Sequence, residues 1–481
     1  MNTFIARVKS NEWLKTLTLI TLVLLSSYVL GRLVMNPSMV RMLIFLVLFM
    51  IAVSFSLRKP VLVLYSLLLY LPFMGFIRRW LIPHTGWSGF DPLVVLAPSI
   101  VLLIASFWLY RTYVMRESII DDTTLFKLIR YLLLIEVLQI FNPLQGSLIV
   151  GLGGVIFYIA PLAWMLMGRY YVNAIWLKRI FFTISVMGVF SILYSLKQVH
   201  FGFFSFEEAW IEISGYAALM VGQNSRGFSF FTSAAEYAQY ALLAAIICWV
   251  YVLRGKSSLK IIAIALLPLF FYGLLMTGSR TPLIMFFLSI GAITIMNVGN
   301  IKKRVLTSIC VIIAVIISYQ LVIAIDAGDN ALIARQVNGL TNPTDEEHST
   351  LGLHWNYFLE GMKSGFTNPI GTGLGSTTLA GMKFSEGSNN SEVDISNMFT
   401  SNGLIGGILY LAIVFHILRL AFRHCRDNNL MMCIFGVLIS TFGSWAIGGN
   451  YSTVTIIWLC VGYLDGYSAK NKLSDKKVMK I

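Results

Sequence analysis

Long apolar stretches alternate with short polar turns along almost the whole chain. Each stretch runs to about 17–25 residues, enough to cross a hydrocarbon core of about 30 Å as a helix. Fourteen helices are expected, near residues 14–34, 39–57, 60–77, 92–113, 125–141, 146–168, 176–198, 232–253, 259–276, 281–298, 304–325, 397–418, 429–445 and 450–467. Segments of alternating hydrophobicity, the mark of a membrane barrel, do not occur. Two polar interruptions stand out, residues 200–231 and the much longer Asp326 to Ser396. The pattern predicts an all-α polytopic transmembrane helical bundle of about 14 spans with a large, partly helical external loop.

The same pattern divides the chain into N-terminal transmembrane helices (1–199), an external loop (200–231), central transmembrane helices (232–325), the large external loop (326–396), C-terminal transmembrane helices (397–467) and a basic tail (468–481). Inside the large loop, Leu351, Trp355, Phe358 and Met362 recur at helical spacing, which predicts an amphipathic helix at the membrane surface. Asn368 to Gly375 then breaks it, and Gly371-Thr-Gly-Leu-Gly375 reads as a flexible turn.

Composition agrees: 57% of residues are hydrophobic and only 12% charged, which excludes a water-soluble globule. The basic residues set the orientation. Arg58 and Lys59, Arg111 and Arg116, Lys178 and Arg179, Arg254 and Lys256, Lys302 to Arg304, and Arg419 to Arg426 all fall on alternate loops, as cytoplasmic ends should. Both termini are then expected in the cytoplasm of a cell bounded by this inner membrane, with the first stretch retained as a span. The net charge of +14 follows from that bias and from anionic lipid, so no nucleic-acid partner is needed. Five cysteines show neither a disulfide framework nor zinc spacing.

Arginines on the far side run against the rule that governs the others. Arg280, in Thr277-Gly-Ser-Arg-Thr-Pro282 between two apolar helices, is the sharpest case, with Arg226, Arg335 and then Arg78 and Arg79 behind it. A planar guanidinium fork suits the paired oxygens of a diphosphate. Each has a plainer role in competition: Arg280 as a turn residue reaching lipid phosphate, Arg335 in an ion pair with the acidic stretch Asp326 to Asp329. Glu236 stands where it could assist Arg226 or simply complement a helix N-terminus.

For proton transfer the large loop offers His348, His354, Glu360 and Asp394. His354 competes with a packing role and Asp394 with that of an N-cap for the next span. Glu136 and Gln139, within a span, are expected to face the bundle interior. Neither a P-loop nor a metal-ligand motif is visible.

Taken in order, Arg226-Gly-Phe-Ser-Phe-Phe-Thr-Ser-Ala-Ala-Glu236, Gly278-Ser-Arg-Thr281, Pro369-Ile-Gly-Thr-Gly-Leu-Gly375, and Asp394 with Asn397 ahead of Gly403-Leu-Ile-Gly-Gly407 resemble the bacterial O-antigen polymerase and ligase family. The resemblance covers roughly Arg226 to Tyr410. It implies an inverting glycosyltransferase that acts on polyprenyl-diphosphate-linked oligosaccharides at the outer face of the cytoplasmic membrane, with no metal or nucleotide cofactor. Arg226, Arg280, Arg335 and Glu236 would then bind the diphosphate, and Asp394 or His354 would take the acceptor proton. Asp394-Ile-Ser-Asn397 stands where ligases carry a His-Asn pair, which favours the polymerase branch. Partner proteins would include a chain-length regulator and a flippase. The other readings are a ligase that moves finished glycan to lipid A core or protein, and a flippase or transporter of lipid-linked oligosaccharide.

Overall fold

The computed structural model describes residues 39–478 except 57, 88–90, 117–122, 215–219, 222–223, 329, 344–350, 385–392 and 447–448. The expected span at 14–34 and the candidate His348 therefore lie outside the described residues. What is described is a helical bundle. In chain order its helices of ten residues or more are α1 (Met39–Ser56), α2 (Pro60–Trp80), α3 (Pro92–Leu109), α4 (Thr124–Gln139), α5 (Leu148–Phe157), α6 (Ile159–Tyr170), α7 (Ala174–Phe201), α8 (Ser205–Ser214), α9 (Ala234–Arg254), α10 (Ser257–Leu275), α11 (Arg280–Asn297), α12 (Ile301–Ile323), α13 (Ala331–Thr341), α14 (Leu351–Thr367), α15 (Asp394–His424), α16 (Asn429–Ser440) and α17 (Tyr451–Val478). One small hairpin, β1 (Met220–Val221) against β2 (Asn224–Ser225), precedes Arg226.

Among the described residues ten helices are long and apolar enough to cross a membrane, so the protein is a multi-pass helical membrane protein. Several expected spans differ, and the stretch 450–467, in α17, is not among the ten. The stretch 146–168 is two helices, α5 and α6, parted at Tyr158, because Pro161 has no N–H to offer the carbonyl of Phe157. The stretch 429–445 keeps only twelve helical residues, α16, and continues as irregular backbone through Gly443 and Trp445. α4, with 16 residues, is likewise shorter than a full crossing.

α9 is the hub. It packs against α7, α10, α11, α16 and α17, and its side chains from Ala241 to Ile247 are fully buried. Neighbouring helices can come this close only where side chains are small. One close crossing, α6 on α17, runs over Gly168 and Gly462: a Cβ on Gly168 would stand 2.1 Å from the Leu459 carbonyl oxygen. Gly168→Ala should therefore cost about 1–3 kcal/mol of overpacking and lower the melting temperature of the detergent-purified protein. An unchanged melting curve would show that the two helices can separate without loss. One turn away, Arg169 pairs with Asp465, and Thr123 donates to the same carboxylate at 2.9 Å, a buried ionic tie at the end of the bundle opposite Arg226.

Candidate functional site

Residues 226–232 form an irregular segment that is buried against α2, α7 and α8. Its carbonyls and amides are met by side chains from those helices, as buried backbone requires. Gln198 Oε1 accepts from the amides of Phe228 and Ser229 at 3.1 and 2.7 Å. Arg79, fully buried, donates to the carbonyls of Ser229 and Phe231 at 2.9 and 2.5 Å and lies over the rings of Phe228 and Trp210. Arg79 thus holds the segment that carries Arg226. In the sequence Arg79 stands behind Arg280, Arg226 and Arg335 among the far-side arginines, and its neighbour Gln198 gives no local signal.

From this held segment Arg226 reaches across to the turn between α10 and α11. Its Nε donates to the Thr277 carbonyl at 2.7 Å and its Nη2 to the Ser279 hydroxyl. Ser279 occupies the N-cap position of α11, yet its hydroxyl makes no cap and turns to Arg226 instead. Gly278, with φ of +63°, makes the turn that allows this. Arg280 is the next residue, half-buried, at the first position of α11.

The third arginine arrives on α13. Gln336, fully buried, donates through Nε2 to the carbonyls of Leu275 and Ser279 at 3.3 and 3.2 Å and pins α13 onto the same turn. Arg280 lies in the notch this creates: a Cβ on Gly339 would be 1.9 Å from its Nη1. Arg335, beside Gln336, is close enough for its charge to act on Arg280. Of the acidic stretch weighed as a partner for Arg335, Asp326 accepts from the amide of Gly328 at 3.0 Å, and Asp329 lies outside the described residues. Three arginines distant in sequence therefore meet around Thr277–Arg280. Gln336 and Gly339, which position two of them, were not legible as site residues.

Glu236 is placed apart from that turn and is fully buried. Its Oε1 accepts from the amide and hydroxyl of Ser452 at 2.8 and 2.6 Å, and its Oε2 from the Thr232 hydroxyl at 2.5 Å. Ser233 accepts from the Glu236 amide at 3.1 Å, so Ser233-Ala-Ala-Glu236 makes half of a capping box, with Thr232 in place of the usual partner. The carboxylate ties the start of α9 to the start of α17. That spacing was readable in the sequence as a cap.

Asp394 opens α15, and it is not an N-cap: Val393 holds that position. Its Oδ2 accepts from the Tyr410 hydroxyl at 2.7 Å and the Trp445 amide at 2.9 Å, and its Oδ1 from the Ile395 amide at 2.8 Å. In a straight helix Asp394 and Tyr410 would be about 24 Å apart. Their bond shows that α15 is folded back, and the bend is at Gly403, whose φ is +70°. The expected single span 397–418 is thus two limbs of a bent helix.

What fills the bend is the glycine loop 369–375, expected as a flexible turn and found packed inside the bundle. The Thr372 and Gly373 amides donate to the carbonyls of Thr400 and Ser401 at 2.9 and 3.1 Å, and the Leu404 amide to Pro369 at 3.0 Å. On its other side the Leu374 amide reaches the Gln139 carbonyl at 3.1 Å, while Asn142 donates to Gly371 at 3.0 Å. The loop replaces the helical bonds that Gly403 interrupts. Glu136 and Gln139 both face inward, as expected.

His354 is half-buried on α14, two turns before Gly361, where α14 meets Ser396 of α15. The arrangement is a multi-pass helical bundle with a basic centre at one end. No family model matches the chain, and no curated protein does either.

Proposed function

We propose that this protein is a polymerase that joins polyprenyl-diphosphate-linked oligosaccharide repeats into a surface polysaccharide at the outer face of the cytoplasmic membrane. The observation that supports it is the meeting of Arg226, Arg280 and Arg335 around one turn at the end of the bundle. Like charges held together at the edge of a low-dielectric region repel unless an anion lies among them, and a diphosphate diester brings two negative charges, rising towards three as the sugar leaves. The basic loops at Arg58, Arg111, Lys178, Arg254 and Lys302 belong to the opposite ends of these helices, which under the positive-inside rule supports an external position for the arginine centre.

In this reading the anomeric carbon to phosphate oxygen bond of the donor breaks, and the acceptor hydroxyl oxygen bonds to that carbon from the other side. The acceptor proton passes to a base, and the freed diphosphate keeps the electron pair. The guanidinium groups offset the charge that grows on the leaving oxygen. The Asp394 carboxylate already accepts three hydrogen bonds and is 1% exposed, so it serves the fold of α15, and His354 is the better candidate for the proton.

The test is polymer formation by the purified protein from a defined lipid-linked repeat. Arg280→Lys keeps the charge but loses the planar fork, and should retain less than about a tenth of wild-type chain extension. Full activity in that variant would reduce Arg280 to a point charge, and full activity in Arg280→Ala would remove it from the site.

A further inference from the structure

A second basic group occupies the same end of the bundle, on the other side of the 226–232 segment. Arg78 precedes Arg79 on α2, and Asp91, at the start of α3, receives Arg78 Nε at 2.9 Å together with Arg41 of α1. Arg41 is fully engaged: its Nε meets Thr85 Oγ1 at 2.8 Å and its Nη2 the carbonyls of Arg78 and Gly86 at 3.1 and 2.9 Å. One carboxylate thus serves two guanidiniums, and the group carries a surplus positive charge. Arg41 and Asp91 are buried, whereas the Arg78 side chain stays 13% exposed. Among the described residues Nε makes Arg78's one side-chain hydrogen bond, so its two terminal amino groups are open to a ligand. Trp87 backs it, with the Arg78 Cζ 5.1 Å from the ring centroid.

Below Arg78 the helices part. Leu71 stands seven residues earlier on α2, hence on the same face and about 10 Å deeper. It lines a narrow, half-open crevice between α2, α3, α5, α6 and α17, walled also by Pro98, Phe157, Trp164, Tyr451 and Val454. Tyr451, at its rim, is near enough to Arg78 for the charge of one to act on the other. The walls are flat rings and branched carbons, which suit one branched chain better than a pair of acyl chains. The feature is a basic, bidentate-capable head site above an apolar slot.

We propose that Arg78 and the crevice beneath it bind a second molecule of polyprenyl diphosphate lipid, separate from the one held by Arg226, Arg280 and Arg335. The proposal builds on the polymerase reading, because that reaction consumes two carrier-linked chains and needs a seat for each. Arg79 links the two seats: adjacent to Arg78, it grips the carbonyls of Ser229 and Phe231 on the segment that begins with Arg226.

The experiment is native mass spectrometry of the full chain in detergent, titrated with long-chain polyprenyl diphosphate. Wild type should take up two molecules, Arg78→Gln one, Arg226→Ala one, and the double variant none, with each lost site at least about tenfold weaker. Because Arg78→Gln also leaves Asp91 with one partner, Val454→Phe, which fills the crevice and spares the ion cluster, should likewise remove one molecule. Two molecules still bound to both Arg78→Gln and Val454→Phe would overturn the proposal, as would phosphatidylglycerol competing at equal concentration for the site that Arg78→Gln removes. The two readings part cleanly. Two bound lipids in a protein that makes no polymer leave the site standing without the polymerase, whereas polymer made by a wild type that binds one lipid does the reverse.

Discussion

Arg226→Ala is expected to stop chain extension, leaving single repeats on the lipid carrier and no ladder of longer products. Arg226 is the arginine whose position is most fully determined, since its segment is held by Gln198 and Arg79 and its guanidinium by Thr277 and Ser279. A preorganised donor facing a leaving group is worth a factor of about 10²–10³ in rate, because it need not reorient as charge develops. Loss of its hydrogen bonds should also cost stability, of the order of 1–3 kcal/mol, and the two effects must be told apart. Ser279→Ala does this. It removes one acceptor while leaving the guanidinium in place, so a melting shift similar to that of Arg226→Ala with much of the polymer retained would assign the rate loss to the charge. If the purified Arg226→Ala protein makes full-length chains, the basic centre has no part in the reaction.

Gly403→Ala should be the most damaging single substitution in the C-terminal half. At φ of +70° an L side chain is strained by about 1–2 kcal/mol. The added Cβ would also stand 2.1 Å from the Pro369 carbonyl oxygen and 2.7 Å from the Gly371 amide, both backbone atoms that cannot turn aside. Together these come to about 2–5 kcal/mol, and the glycine loop would be driven out of the bend. Expelling it would free the Thr400 and Ser401 carbonyls inside the membrane, where unpaired backbone is costly. The readout is the melting temperature and monodispersity of the purified variant, with cysteine accessibility at Thr372 as a local probe. A variant that melts like wild type and keeps Thr372 protected would mean that α15 can straighten without penalty.

The spans were legible because a bilayer imposes a length on any apolar run, and the run carries that length with it. Pro161 was visible too, though its consequence, the break between α5 and α6, depends on where the missing bond falls. The fold-back of α15 was not. Gly403 sits in an unremarkable Gly-rich helix, and what makes it a hinge is the loop at 369–375 that arrives from another part of the chain. The same holds at the basic centre. Arg226 and Arg280 announced themselves by charge against an apolar background, whereas Gln336 and Gly339 matter only through the turn they meet. The pairing of Arg41 with Asp91 crosses fifty positions and left no local trace.

The spans differ sharply in their surroundings. In α9 83% of the membrane window is enclosed by protein at a mean hydropathy of 1.5, while in α12 6% is enclosed at 2.5. A helix with Gln239 and three tyrosines along it can be that modestly greasy because hydrocarbon never touches it once the chain is complete. During synthesis it has no such shelter. α9 should therefore linger beside the insertion machinery until α10 and α11 emerge to cover it, and a nascent chain cut short just after Arg254 should be found stalled or degraded, whereas one ending after Asn297 should partition into lipid on its own.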